Sequence, residues 1–138
     1  MKKIYSNKYQ EIYYDSKVSL MKLIFKVETE KYTNTHLQKE ALRFRDFVEE
    51  FKSDYLILDV TFYRYQVNEQ ELEWVASLFP NRYAKKVAVV CSDEALHAKL
   101  ATNAILGMMS GLEGKVRFFD NNDAAMMWIG QDYMQQIK

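Results

Sequence analysis

The chain has 138 residues, 49% hydrophobic and 14% aromatic, with 19 basic and 19 acidic side chains and a formal net charge of zero. That size and composition fit one folded domain over 1–138 with a substantial core, and they exclude a disordered chain. A balanced charge with no basic stripe argues against nucleic acid as a partner, because a phosphate backbone is held mainly by Lys and Arg.

The pairs Lys2–Lys3 and Lys85–Lys86 stand alone and read as solvated surface. A single cysteine, Cys91, rules out an intramolecular disulfide and suggests a reducing compartment. The start "MKKIYSNKYQ" is basic like a signal peptide, but no apolar run follows it. No apolar run approaches the length of a membrane span. The expectation is a cytoplasmic protein.

In chain order, "YQEIYYDS" and "SLMKLIFKVE" are rich in β-branched and aromatic residues and are separated by a polar turn at Asp15–Lys17. They predict a β-hairpin. In its second strand Leu20, Lys22, Ile24 and Lys26 alternate with Met21, Leu23, Phe25 and Val27, so the wholly apolar face is the better buried one.

A helix follows. Thr35 with Gln38 has capping-box spacing, and Leu37, Ala41, Phe44, Val48 and Phe51 form one apolar stripe. Lys39, Glu40, Arg43, Asp46, Glu49 and Glu50 fall mostly outside the stripe, as a solvated face. "YLILDV" then reads as a parallel strand covered on both faces.

Leu72, Val75, Ala76 and Phe79 mark a second helix, capped by Asn68 and stopped at Pro80. Glu69, Glu71 and Glu73 belong to its exposed face. "KKVAVVCS" is another buried strand, and a helix begins at Ser92–Asp93–Glu94 with Leu96, Leu100, Ala104 and Met108 inward, ending at Gly111 or Gly114. "KVRFFD" is the last strand and "NDAAMMWIGQDYMQQI" the last helix, with Asn122 as its cap and Trp128 as its core anchor. The sum is an α/β domain: a mixed sheet of an N-terminal hairpin and three strand–helix alternations, with about four helices.

The hairpin, "YLILDV", "KKVAVVCS" and the ending "VRFFDNNDAAMMWI" together resemble STAS-like domains related to bacterial anti-sigma-factor antagonists. They are more closely similar to the small stand-alone bacterial proteins grouped with STAS and CRAL-TRIO-type lipid-transfer domains. "LEWV" before Pro80 also fits. The resemblance covers nearly the whole chain and implies a STAS-like fold and a regulatory or interaction role in a bacterial cytoplasm. Classical antagonists carry a phosphorylatable Ser at the start of the helix after the central strand. Here that region reads "DVTFYRYQVNEQELEW", with Asn68 as the natural cap, no Ser, and Thr61 at the strand end.

Residues that could carry chemistry have plain structural readings. Cys91 precedes a helix start, where a thiol can become a nucleophile, and His97 lies a few residues on, yet a lone Cys in "VAVVC" reads as a small buried hydrophobe. His36 and His97, about sixty residues apart, show no metal-ligand spacing. No phosphate-binding glycine motif is present. Asp120 and Asp123 bracket a helix start, where negative charge is favoured by the dipole. The expectation is a protein without catalytic residues, metal or cofactor.

Met108, Met109, Met126, Met127 and Met134 read chiefly as core packing of the last two helices, with an apolar pocket or partner surface as the alternative. The carboxyl edge of the parallel strands is where ligands bind in open α/β sheets. There Asp59, Tyr63, Arg64 and Tyr65 are the candidate binding residues, in a "TFYRY" loop with no helical period. Tyr and Arg anchor interfaces, so Arg64 with at least one of the two tyrosines is expected to be exposed to a protein partner or a second copy of the chain. Competing with this are a loop that merely continues the strand, burying alternate aromatics, a small carrier of a lipid-like or other apolar ligand, and an unrecognised enzyme.

Overall fold

A computed structural model describes residues 1–78, 85–91 and 116–137. Six strands form one sheet in the order of the chain: β1 (Lys2–Ser6), β2 (Gln10–Asp15), β3 (Leu20–Phe25), β4 (Tyr55–Asp59), β5 (Lys86–Val90) and β6 (Val116–Phe119). β1, β2 and β3 are antiparallel neighbours, while β3 to β6 run parallel. The expected α/β architecture with its mixed sheet is present. Three α-helices are described: α1 (Asn34–Phe51), α2 (Glu69–Leu78) and α3 (Asn122–Ile137), together with a 3-10 helix over Val27–Lys31. The helix expected from Asp93–Glu94, with Ser92, His97, Met108, Gly111 and Gly114, lies outside the described residues, as do Phe79 and Pro80.

The sheet is covered on both faces. On one, Ile12, Met21, Leu23, Leu56 and Val87 pack with Phe44 and Val48 of α1. On the other, Leu20, Tyr55, Ile57, Ala88 and Val90 pack with Ala125, Trp128 and Ile129 of α3. Period-two alternation on the strands thus meets two separate helical stripes. The near-continuous apolar runs of β4 and β5 follow from burial on both sides.

Several expectations are corrected. β1 was not anticipated. It is an edge strand whose lysines are exposed and whose register slips between Lys3 and Tyr5, so it carries little of the apolar signal that marks a strand. The second hairpin strand stops at Phe25, because Val27–Lys31 turns into the 3-10 helix.

The capping box of α1 is Thr33 with His36, not Thr35 with Gln38. The Thr33 N–H donates to His36 Nδ1 at 3.0 Å, and the His36 N–H donates to Thr33 Oγ1 at 3.4 Å. An imidazole nitrogen here does the work usually given to Glu or Gln. For α3 the cap is Asn121, whose Oδ1 accepts from the Ala124 N–H at 2.8 Å. Asn122 Oδ1 instead accepts from Lys22 Nζ at 2.6 Å. Asn68 caps α2 as expected.

Glu40 leaves the solvated face of α1. It accepts from Gln10 Nε2 and Asn7 Nδ2, each at 2.8 Å. Lys86 turns inward to Asp132 and to the carbonyl of Trp128. Met126 and Met127 are both exposed, the latter by 74%, because the inward side of this part of α3 is taken by Ala125, Trp128 and Ile129.

Candidate functional site

The register brings Glu11, Ile24, Asp59, Val90 and Phe119 into one row at the carboxyl edge of the parallel strands. The starts of α1, α2 and α3 lie at this edge too, as strand–helix alternation requires. Two adjoining pieces are built there: an inner aromatic cluster and an outer apolar patch.

The inner piece is centred on Tyr32, which is buried. Its ring meets Tyr9, Tyr65 and Tyr63 edge-on at centroid distances of 4.9, 5.8 and 6.3 Å, an arrangement favoured by the ring quadrupoles. Tyr63 packs edge-on against Phe25 at 4.8 Å. Burial raises the phenols of both Tyr32 and Tyr63 well above the ordinary range, so both stay neutral. The Tyr32 hydroxyl donates to Gln10 Oε1 at 3.2 Å, and Gln10 in turn donates to Glu40.

Glu71 corrects the reading of its helix face. It is 7% exposed and accepts from the Tyr65 hydroxyl at 2.6 Å, Asn34 Nδ2 at 2.8 Å and the Asn68 N–H at 3.1 Å. Burial opposes ionisation of this carboxyl, but the three donors outweigh it and hold its pKa below the ordinary value. The same hydrogen bond, aided by burial, pushes Tyr65 up to about 12.

The loop after β4 is therefore fixed rather than loose. Asp59 Oδ1 accepts from the Thr61 N–H at 3.1 Å, the Val60 N–H reaches the Val90 carbonyl at 2.9 Å, and the Arg64 N–H reaches Thr29 Oγ1 at 2.9 Å. Along 61–68 exposure alternates residue by residue. Tyr63 and Tyr65 turn inward and are half-buried, while Phe62 and Arg64 turn outward. The aromatic that accompanies Arg64 at the surface is therefore Phe62, which sits in the turn closed by the Tyr63 N–H on the Val60 carbonyl at 3.1 Å.

The outer piece is an open depression whose lining includes Glu11, Ile24, Lys26, Val27, Glu28, Phe62 and Arg64. Phe62 is 53% exposed and Val27 47%. Sequence reading passed over Val27 and Glu28 because they sat in a segment read as strand. The alternation in "TFYRY" carried the signal for Phe62. Of the four residues expected to bind, Arg64 lines this depression, Asp59 sits beside Ile24 in the register, and the two tyrosines support the loop from within.

For chemistry the site offers little. Cys91 is buried and its N–H bonds the Phe119 carbonyl. His36 is occupied by Thr33 and Tyr9. Among the described residues no group of three or more His, Cys, Asp or Glu could hold a metal ion, and no helix is long and apolar enough to cross a membrane. No family model matches the chain, and no curated protein or solved structure matches it.

Proposed function

We propose that the protein is a non-enzymatic interaction module of the STAS-like kind, binding a protein partner through the Phe62–Arg64 side of its carboxyl edge. One observation carries the reading: two large apolar side chains, Phe62 and Val27, stand half-exposed beside Arg64 on a segment held by main-chain hydrogen bonds. A rigid apolar surface with an adjacent guanidinium is the composition of an interface centre. The N-terminal hairpin and the parallel strands that follow it support the resemblance to STAS-like proteins, and a cytoplasmic setting is part of that resemblance. The carrier reading gains nothing from Met126 and Met127, which face solvent rather than a cavity.

The test is native mass spectrometry and cross-linking of freshly purified protein, wild type against Phe62→Ala with Arg64→Ala. The expected result is a protein complex that the double variant loses while its melting temperature stays close to wild type. A monomer carrying a bound apolar small molecule would overturn the reading in favour of a carrier. A complex untouched by the double change would move the interface elsewhere.

A further inference from the structure

We infer that the partner at this patch is a second copy of the same chain, joined by a two-fold contact that pairs Arg64 of each protomer with Glu28 of the other. The inference rests on the reading of the patch as a protein-contact surface, and adds what occupies it.

The argument is one of charge complementarity. Four charged side chains line or border the depression: Glu11, Lys26, Glu28 and Arg64. Two of them are already matched. Glu11 accepts from the Tyr13 hydroxyl at 2.6 Å and lies 3.5 Å from Lys26 Nζ and 3.7 Å from Lys3 Nζ. Lys26 also donates to the Asn7 carbonyl at 2.8 Å. The other two are not matched. Arg64 spends only Nη1, on the carbonyls of Thr61 and Tyr63, which leaves Nη2 and Nε for an outside acceptor. Among the described residues no carboxylate lies within ion-pair distance of Arg64, and no cation lies within that distance of Glu28. The patch therefore presents one uncompensated acid and one uncompensated base.

Both are joined to apolar neighbours. Glu28 follows Val27 on the 3-10 helix, and Arg64 lies two residues beyond Phe62 on the loop, with the Arg64 N–H bonded to Thr29 beside Glu28. A surface holding one charge of each sign around an apolar centre is complementary to itself. In a two-fold contact residue i meets j and j meets i, so both ion pairs form while Phe62 and Val27 of the two copies cover one another. A purely acidic or basic partner would satisfy only one of the two charges. The formal net charge of zero removes long-range repulsion between copies. The apolar centre is small, so the dimer is a weak, concentration-dependent one.

The experiment is sedimentation velocity from about 1 to about 500 µM, the range in which weak contacts associate, on wild type, Glu28→Arg, Arg64→Glu and the double reversal. Each single reversal sets like charges against one another twice. Each should weaken the dimer at least about tenfold, since facing like charges are strongly unfavourable. An equimolar mixture of the two single variants, and the double variant alone, should dimerise again: in the mixed dimer one pair keeps its sign and the other has it exchanged, and in the double variant both are exchanged. Should Arg64→Glu disturb its loop, Glu28→Arg alone still carries the repulsion test. Wild type that stays monomeric throughout, or single variants that dimerise like wild type, overturns the inference. If wild type is monomeric yet cross-links a different polypeptide in a Phe62-dependent way, the interface reading stands and only the second copy falls. If nothing binds in a Phe62-dependent way, both fall.

Discussion

The Tyr65 hydroxyl donates a 2.6 Å hydrogen bond to the buried carboxylate of Glu71, which also accepts from Asn34 at the start of α1 and from the Asn68 N–H at the start of α2. One carboxylate thus joins the loop after β4 to the starts of two helices. Losing it frees three donors in a buried place, where unmade hydrogen bonds are costly.

Glu71→Gln keeps the shape and removes the charge. It should lower stability by about 1–3 kcal/mol at neutral pH, the range for leaving a buried hydrogen-bonding group without its partner. The pH dependence has a definite sign. The folded pKa of Glu71 is depressed, so its contribution is complete above the unfolded value of about 4.3 and is lost as pH falls through the folded value. Denaturant titrations of both proteins should show a constant gap from about pH 8 to about pH 5 that narrows below about pH 4. A gap that widens on acidification would mean that the carboxyl is protonated in the native state.

Thr33 and Thr35 separate two cap assignments for α1. Thr33→Ala removes the hydroxyl that accepts from the His36 N–H and should cost about 1 kcal/mol, as N-cap losses do. Thr35→Ala, within the helix and exposed, should stay within about 0.5 kcal/mol of wild type. Equilibrium unfolding of the two variants decides, and the reverse order would put the cap at Thr35.

Legibility in the sequence followed how many neighbours each element needs. β4 and β5 were readable because a strand buried on both faces is apolar at nearly every position, whatever packs on it. Asn68 was readable because an N-cap acts within its own turn: its Oδ1 accepts from the Glu71 N–H three residues on. The inward turn of Glu71 was not, since Asn34 comes from 37 residues away and only the fold brings it there. Met126 and Met127 misled for a related reason. An apolar run on a helix does not say how many of its sides are covered, and among the described side chains of α3 the buried ones are Ala125, Trp128 and Ile129. At the candidate site the loop and Arg64 could be found, and the inward turn of Tyr63 and Tyr65 follows the strand-continuing alternative that "TFYRY" left open, with Phe62 rather than a tyrosine beside Arg64 at the surface.

Gly130 lies in the middle of α3, and a Cβ built there would meet nothing within 4 Å. Glycine inside a helix costs close to 1 kcal/mol relative to alanine through backbone entropy. Gly130→Ala should therefore raise the denaturation midpoint, by up to about 1 kcal/mol of stability, with an unchanged denaturant slope. A destabilised variant would show that something covers this position in the native assembly.

Trp128 fixes α3 to the sheet, and its environment says how. Its ring lies 5.6 Å from Phe119. The Lys86 ammonium stands 4.6 Å and the Arg117 guanidinium 5.5 Å from its centre. Lys86 also donates to the Trp128 carbonyl at 2.7 Å and to Asp132 Oδ1 at 3.0 Å, so ring, main chain and the next helical turn share one cation. Truncation to alanine removes the ring from the core and leaves both cations without their aromatic partner. Trp128→Ala should cost about 3–5 kcal/mol, the usual range for a buried aromatic. Trp128→Phe should cost less, because the contact with Phe119 survives in part. Lys86→Met keeps the stem of the side chain and deletes the cation, and should cost about 1 kcal/mol or less, since Asp132 is 31% exposed and regains water. The loss of unfolding free energy should decrease in that order across the three variants. A loss below about 1 kcal/mol for Trp128→Ala would mean that α3 is held to the sheet by other contacts.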